Sequence, residues 1–255
     1  MKIFLSGIDA DKKRFKYVDA RIDKYYYMLM SFFYLNQEIF DKVCNKSDEV
    51  LIDSGAHTLQ QNSTRNFDSF LERYISFIKK NDNPKVIGYF ELDVDNKIGY
   101  DRVKEYRDEL EKVSDKIIPV WHKNRGINDY IEMCERYSGK IVAITGFRNE
   151  DITDEQYLSF LKVAIKYKCK LHCLGCTRKN ILDKIPFYSV DSASWCYEAV
   201  FGRLLLDVQG HRRHLSRNNY REIQLDVALN NFKVYQELQL LYKYKFKEFD
   251  KKYYE

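Results

Sequence analysis

The sequence predicts an α/β protein built as a single (β/α)8 barrel of the TIM type, closed by a long C-terminal helix. Three observations carry that expectation. Short apolar runs alternate with amphipathic stretches at a spacing of about 30 residues. Most of the runs end in a polar residue or a glycine, as in Val50-Leu51-Ile52-Asp53-Ser54-Gly55 and Tyr188-Ser189-Val190-Asp191. The chain has 255 residues, the usual size for one such barrel, with 45% hydrophobic residues to fill it.

Taken in order, 1–6 is a first strand and 21–43 an amphipathic helix, with Tyr25, Met28, Leu29, Phe32, Phe33, Leu35, Ile39 and Phe40 spaced by threes and fours. A strand to Asp53 follows, then a helix over 66–80 capped by Asn66, and strand-like 86–94. Residues 100–113 form a charged helix, 117–121 a strand, 127–137 a short helix and 140–145 a strand. Thr153 and Gln156 make a capping box for a helix over 153–167. Strand 169–174, a helical turn at 178–184 and strand 187–190 come next, and 203–208 supplies the eighth strand. A helix from 219 to about 249 ends the chain, with Leu238, Leu240, Leu241 and Tyr244 as its buried face. No linker or repeat divides 1–255, so one domain is expected.

Several classes are disfavoured. No run of 18 apolar residues suggests a membrane span, and the N-terminus reads as a strand rather than a leader. Six scattered cysteines fit reduced thiols in a cytoplasmic protein, not a disulfide framework. Neither common glycine-rich phosphate loop is present, and no cofactor or metal is expected. Cys169-x3-Cys173-x2-Cys176 has the spacing of a radical iron–sulfur motif, but it lies on a strand with only about 80 residues to follow, so buried or pocket-edge thiols are the better reading. The net charge of +5 is mild, yet 210–221 gathers Arg212, Arg213, Arg217, Arg221, His211 and His214 without an acid. That cluster suits phosphate contacts, with a solvated basic loop as the plain alternative.

In a barrel, Asp53, Asp93 and Asp191 converge on the mouth at the C-terminal ends of the strands, joined by His122 and His172. Gly55, Gly146 and Gly175 leave room there for a ligand. Singly, Asp53 or Asp191 could be a cap of the following turn. Together they suggest chemistry: one carboxylate attacking a sugar carbon while another moves a proton, or carboxylates and histidines holding a metal that activates water. The lack of paired histidines at strand ends favours the first.

The same segments carry a resemblance. Asp53-Ser54-Gly55-Ala56 resembles the Asp-Ser-Gly-Gly/Ala signature of the tRNA-guanine transglycosylase family, which includes phage and bacterial relatives that insert 7-deazaguanines into DNA. Phe90-Glu91-Leu92-Asp93, Ala143-Ile144-Thr145-Gly146-Phe147, His172-Cys173-Leu174-Gly175 and Tyr188-Ser189-Val190-Asp191-Ser192 follow in the family's order, over about residues 50–195. The resemblance implies a base-exchange glycosyltransferase that replaces guanine by a 7-deazaguanine. Asp191 would attack C1′, Asp53 would act as acid and base, and Asp93 would read the guanine edge. Ser54, His122 (near the family's Gln), Thr145, Gly146 and Gly175 would line the base pocket, with Arg212, Arg213, Arg217 and Arg221 on the nucleic acid. No cysteine follows Cys196, so the zinc site of the tRNA enzymes is missing, and the chain is about a third shorter than they are. Both departures point to DNA as the polymer and tRNA as second choice, with a phage-like relative acting in the host cytoplasm. A metal-dependent hydrolase and a catalytically inert nucleic-acid binder are the alternatives.

Overall fold

A computed structural model describes residues 1–61, 66–145, 152–176 and 178–254, apart from the side chains of residues 217–222. Nine strands form one parallel sheet: β1 (Lys2–Leu5), β2 (Tyr27–Ser31), β3 (Glu49–Asp53), β4 (Val86–Phe90), β5 (Ile117–Ile118), β6 (Val120–Trp121), β7 (Ile141–Thr145), β8 (Lys170–Leu174) and β9 (Ser189–Ser192). Their order is β5-β4-β3-β2-β1-β9-β8-β7-β6. Only Pro119 separates β5 from β6. Since β5 pairs with β4 and β6 pairs with β7, the two are halves of one stave and close a ring of eight. The barrel expectation holds.

Alternate strand residues divide between two cores, as the period of two requires. Phe4, Tyr27, Leu29, Leu51, Phe90, Ile118, Val120 and Ala143 fill the barrel. Ile3, Leu5, Met28, Met30, Val50, Ile52, Val142 and Ile144 face the helices outside. Each fully buried Leu or Phe contributes about 1.5–3 kcal/mol relative to exposure.

The outer helices are α1 (Lys12–Asp19), α2 (Gln37–Lys46), α3 (Ala56–Gln60), α4 (Phe67–Asn81), α5 (Asp95–Ile98), α6 (Tyr100–Glu111), α7 (Gly126–Arg136), α8 (Asp154–Lys166), α9 (Lys179–Leu182), α10 (Ser194–Val200), α11 (Arg217–Lys245) and α12 (Lys247–Tyr253). Asn66 caps α4 by accepting from the Asp68 and Ser69 amides, and the Thr153–Gln156 capping box opens α8.

The structure corrects four expectations. Residues 21–43 are not one helix: they contain β2, a 3-10 turn at Phe32–Tyr34 and the start of α2. Tyr27-Met28-Leu29-Met30 is buried on both faces, so it lacks the polar alternation that marks a half-buried strand. Because β2 is a stave, 203–208 is not needed as the eighth. Its first three residues form β10 (Arg203–Leu205), paired antiparallel with β11 (Arg212–His214) in a separate hairpin. The 210–221 segment is therefore β11 and the start of α11 rather than a loop. Finally, α11 runs from 217 to 245 and buries Val227, Ala228, Asn231, Phe232, Gln239 and Tyr242, while Leu241 and Tyr244 are exposed. No helix among the described residues is long and apolar enough to cross a membrane.

Two polar arrangements hold the ring. At its N-terminal floor, Lys2 Nζ donates to both Glu49 oxygens at 2.6 and 2.7 Å and to the Tyr188 hydroxyl at 2.9 Å. Gln239 of α11 donates to the carbonyls of Ile3 and Tyr27 at 2.7 and 2.8 Å. At the divided stave, the fully buried Glu91 follows directly on β4. Its carboxylate accepts from the Val120 amide at 2.8 Å, pairs with Arg107 at 2.5 Å and meets Arg125 at 3.5 Å. A buried carboxylate is tolerated only when so compensated.

Candidate active site

The mouth is assembled by strand ends. Asp53 is the last residue of β3, two beyond the inward-facing Leu51, which places its carboxylate one layer above the apolar filling. The chain then turns sharply at Gly55, whose φ is 80° and whose N–H donates to Asp53 Oδ2 at 3.1 Å. A side chain at Gly55 would bring its Cβ within 2.5 Å of Phe33 Cβ, so only glycine fits. Ser54 is fully buried, and its hydroxyl accepts from the Ala56 amide at 3.4 Å, serving the turn.

Asp191 stands opposite, on β9. The Gly175 N–H donates to its Oδ1 at 2.7 Å, and His172 Nε2 lies 3.4 Å from the same oxygen. Beneath it, His172 Nδ1 lies 2.8 Å from Ser189 Oγ. A neutral imidazole placed between a carboxylate and a hydroxyl points its Nε2–H at the carboxylate and accepts from the hydroxyl at Nδ1. The imidazole has no exposure to water and packs against Phe4 and Phe90. Asp191 is thus aimed from below by a chain of two inward side chains.

Asp93 lies just past β4, and its Oδ2 is 3.0 Å from His122 Nε2. Burial pushes the Asp93 carboxyl up, with the His122 interaction opposing. Burial works against the His122 imidazolium, but Asp93 outweighs it and holds the ring above its ordinary value. The two form a hydrogen-bonded pair of ordinary length. Thr145, at the end of β7, buries a hydroxyl with no partner among the described residues, which leaves a polar atom for a ligand to satisfy.

Burial, then the like charges of Asp93 and Asp191, push Asp53 up to about 7. A carboxyl that gains and loses its proton near neutrality is suited to acid–base work. The chemistry open to this arrangement is nucleophilic attack by one carboxylate with proton transfer by a second.

Of the residues expected from sequence, Asp53, Asp93, His122, Gly175 and Asp191 converge, with Thr145 at the same end. Gly146 lies outside the described residues, as do the side chains of Arg217 and Arg221. Arg212 and Arg213 sit on β11, and Arg212 is paired with Glu198 at 3.1 Å. All six cysteines are free and buried. Among the described residues, no three His, Cys, Asp or Glu side chains are grouped to hold a metal ion.

Sequence reasoning missed Asp9. It is 4% exposed, accepts from the Ser31 amide at 2.6 Å, and burial pushes it up to about 6. It adds a negative charge beside Asp53. The signal was present: Ile3-Phe4-Leu5-Ser6-Gly7 is another apolar run ending in Ser-Gly, with an acid two residues on.

No protein-family model matches this chain, and no curated protein matches it either.

Proposed function

We propose that this protein is a base-exchange glycosyltransferase that replaces guanine by a 7-deazaguanine in DNA. The observation that carries the reading is the convergence of Asp191, Asp53 and Asp93 on one barrel mouth, with Asp53 pushed up to about 7 by burial and then by its neighbours. In the first half-reaction an Asp191 oxygen attacks C1′ of a deoxyguanosine turned out of the base stack. The C1′–N9 bond breaks, its electron pair leaves with guanine, and the Asp53 carboxyl supplies the proton. In the second, the Asp53 carboxylate takes the N9 proton of the incoming 7-deazaguanine. That nitrogen attacks C1′, and the bond to Asp191 breaks. The proton returns to Asp53, so the cycle balances. Asp93, partnered by His122, faces the N1–H and amine edge common to both bases.

The test is incorporation of a radiolabelled 7-deazaguanine into DNA and, in parallel, into unmodified tRNA, with Asp191→Ala beside the wild type. Label in DNA that falls by about 10⁴-fold or more in the variant supports the reading. Label confined to tRNA reassigns the polymer and leaves the chemistry standing. No label in either polymer, across several 7-deazaguanines and with folded protein, overturns it.

A further inference from the structure

A groove of about 520 Å³ leads away from the mouth between α9, α10, the β10–β11 hairpin and α11. Gly175, the residue whose N–H holds Asp191, is part of its lining. A ligand that fills the groove as far as Gly175 therefore lies beside the mouth.

The lining is suited to a charged, partly flat ligand. Arg178 and Lys179 contribute from the α9 side and Arg212 from the hairpin, while Leu205, Tyr235 and Leu238 give an apolar wall. The two acids on the lining are already engaged. Glu198 lies 3.1 Å from Arg212 and 3.5 Å from Arg203, and Asp207 is 2.7 Å from His211 Nδ1. Arg212 is held by Glu198 and Arg178 lies 3.1 Å from Asp154, so Lys179 is the lining cation with no ion pair among the described residues, and the two arginines keep further N–H groups for an anion. Its size is within the range of small-ligand sites and sufficient for a nucleotide. A Tyr face can take a base or sugar, as in single-strand binding grooves.

We propose that this groove holds one nucleotide of the same DNA strand, the immediate neighbour of the exchanged guanosine, with its phosphate met by the rim cations and its base or sugar against Tyr235 and Leu238. This rests on the base-exchange reading of the mouth, because only a polymer whose target base enters there presents its neighbour here. The groove meets the mouth on one side only, so it takes the neighbour on one side of the target, 5′ or 3′, and not both.

The probe is a fluorescein-labelled single-stranded DNA 12-mer with one guanosine. It is made with the phosphodiester on the 5′ side, the 3′ side or neither replaced by an uncharged methylphosphonate. Binding is read by anisotropy and exchange by label incorporation. One of the two replacements weakens binding to the wild type about fivefold, the scale of a half-exposed ion pair, and the other has little effect. In Lys179→Ala and in Arg212→Ala, both surface changes, the sensitive replacement costs less than in the wild type. Equal indifference to both replacements, or equal sensitivity with no change in either variant, overturns the groove assignment even where exchange proceeds. A one-sided phosphate effect that depends on Lys179 or Arg212 without exchange upholds the groove and counts against the chemistry. No binding of any 12-mer overturns both.

Discussion

The two ends of the barrel handle charge in opposite ways. At the floor, Lys2 brings together Glu49 and Tyr188 by direct hydrogen bonds, and Lys2, Lys170 and Lys243 lie over the Tyr27 or Tyr188 rings. At the mouth, the charges of Asp93, Asp191 and Asp9 all bear on Asp53, and His122 is the partner of Asp93. Unlike charges at one end stabilise the ring. Burial and then like charges at the other push the Asp53 carboxyl up and so oppose folding at neutral pH, a cost expected where groups are placed for reaction rather than for stability. The fold is one scaffold with a fastened end and a strained end.

The comparison is broken most severely at His172, which joins the buried interior to the mouth. On the proposed chemistry, replacing it by Leu should lower kcat by about 10- to 100-fold with little change in KM, because one donor to Asp191 is lost. His172→Gln, which keeps an N–H, should recover part of that loss; equal loss in both variants would assign His172 a packing role only. At the floor, Lys2→Met should cost about 2 kcal/mol of unfolding free energy by leaving the half-buried Glu49 without its cation, and should leave the rate per folded molecule unchanged. Denaturant titration checks it. The smallest effect sharpens the contrast at the mouth. Asp53 has a folded pKa of about 7 against an ordinary value of 3.8, so the folded state holds that proton more tightly than the unfolded state. The stability it contributes is complete below pH 4 and is lost as pH rises through about 7. Linkage for a shift of that size is about 4 kcal/mol, and because the Asp53 side chain is only half-buried, solvent screening should leave Asp53→Asn a gain of about 1–2 kcal/mol on the wild type at pH 8 relative to pH 4. Equal stability of the two proteins across that range would remove Asp53 from the strained set.

The mouth was more legible in the sequence than the ring that presents it. Asp53, Asp93 and Asp191 declared themselves because each interrupts or ends an apolar run, where a carboxylate must be paired or used. The staves with one polar neighbour in the pattern were read close to their observed bounds, as at Ile141–Thr145 and Lys170–Leu174. The Tyr27–Ser31 stave was not, since a strand buried on both faces has no alternation to show. The helix Lys12–Asp19, capped by Asp11, also escaped, because only Phe15 and Val18 of its residues are buried. Asp9 went unread for a different reason. The Ile3–Gly7 run marks the strand end, but Asp9 stands beyond it in the following loop and not on the strand itself, where Asp53 and Asp191 are.

The carboxylate of Glu91 has a part beyond its own burial. Between β4 and β6, where the stave is divided at Pro119, a side chain accepts the Val120 amide. The hoop is fastened there by a clasp rather than by continuous weave. Asp93 is two residues past Glu91, and His122 is two past Val120. The clasp that closes the ring also sets the span across which those two groups meet, so the gauge of that jaw is fixed by a residue that belongs to neither side of it.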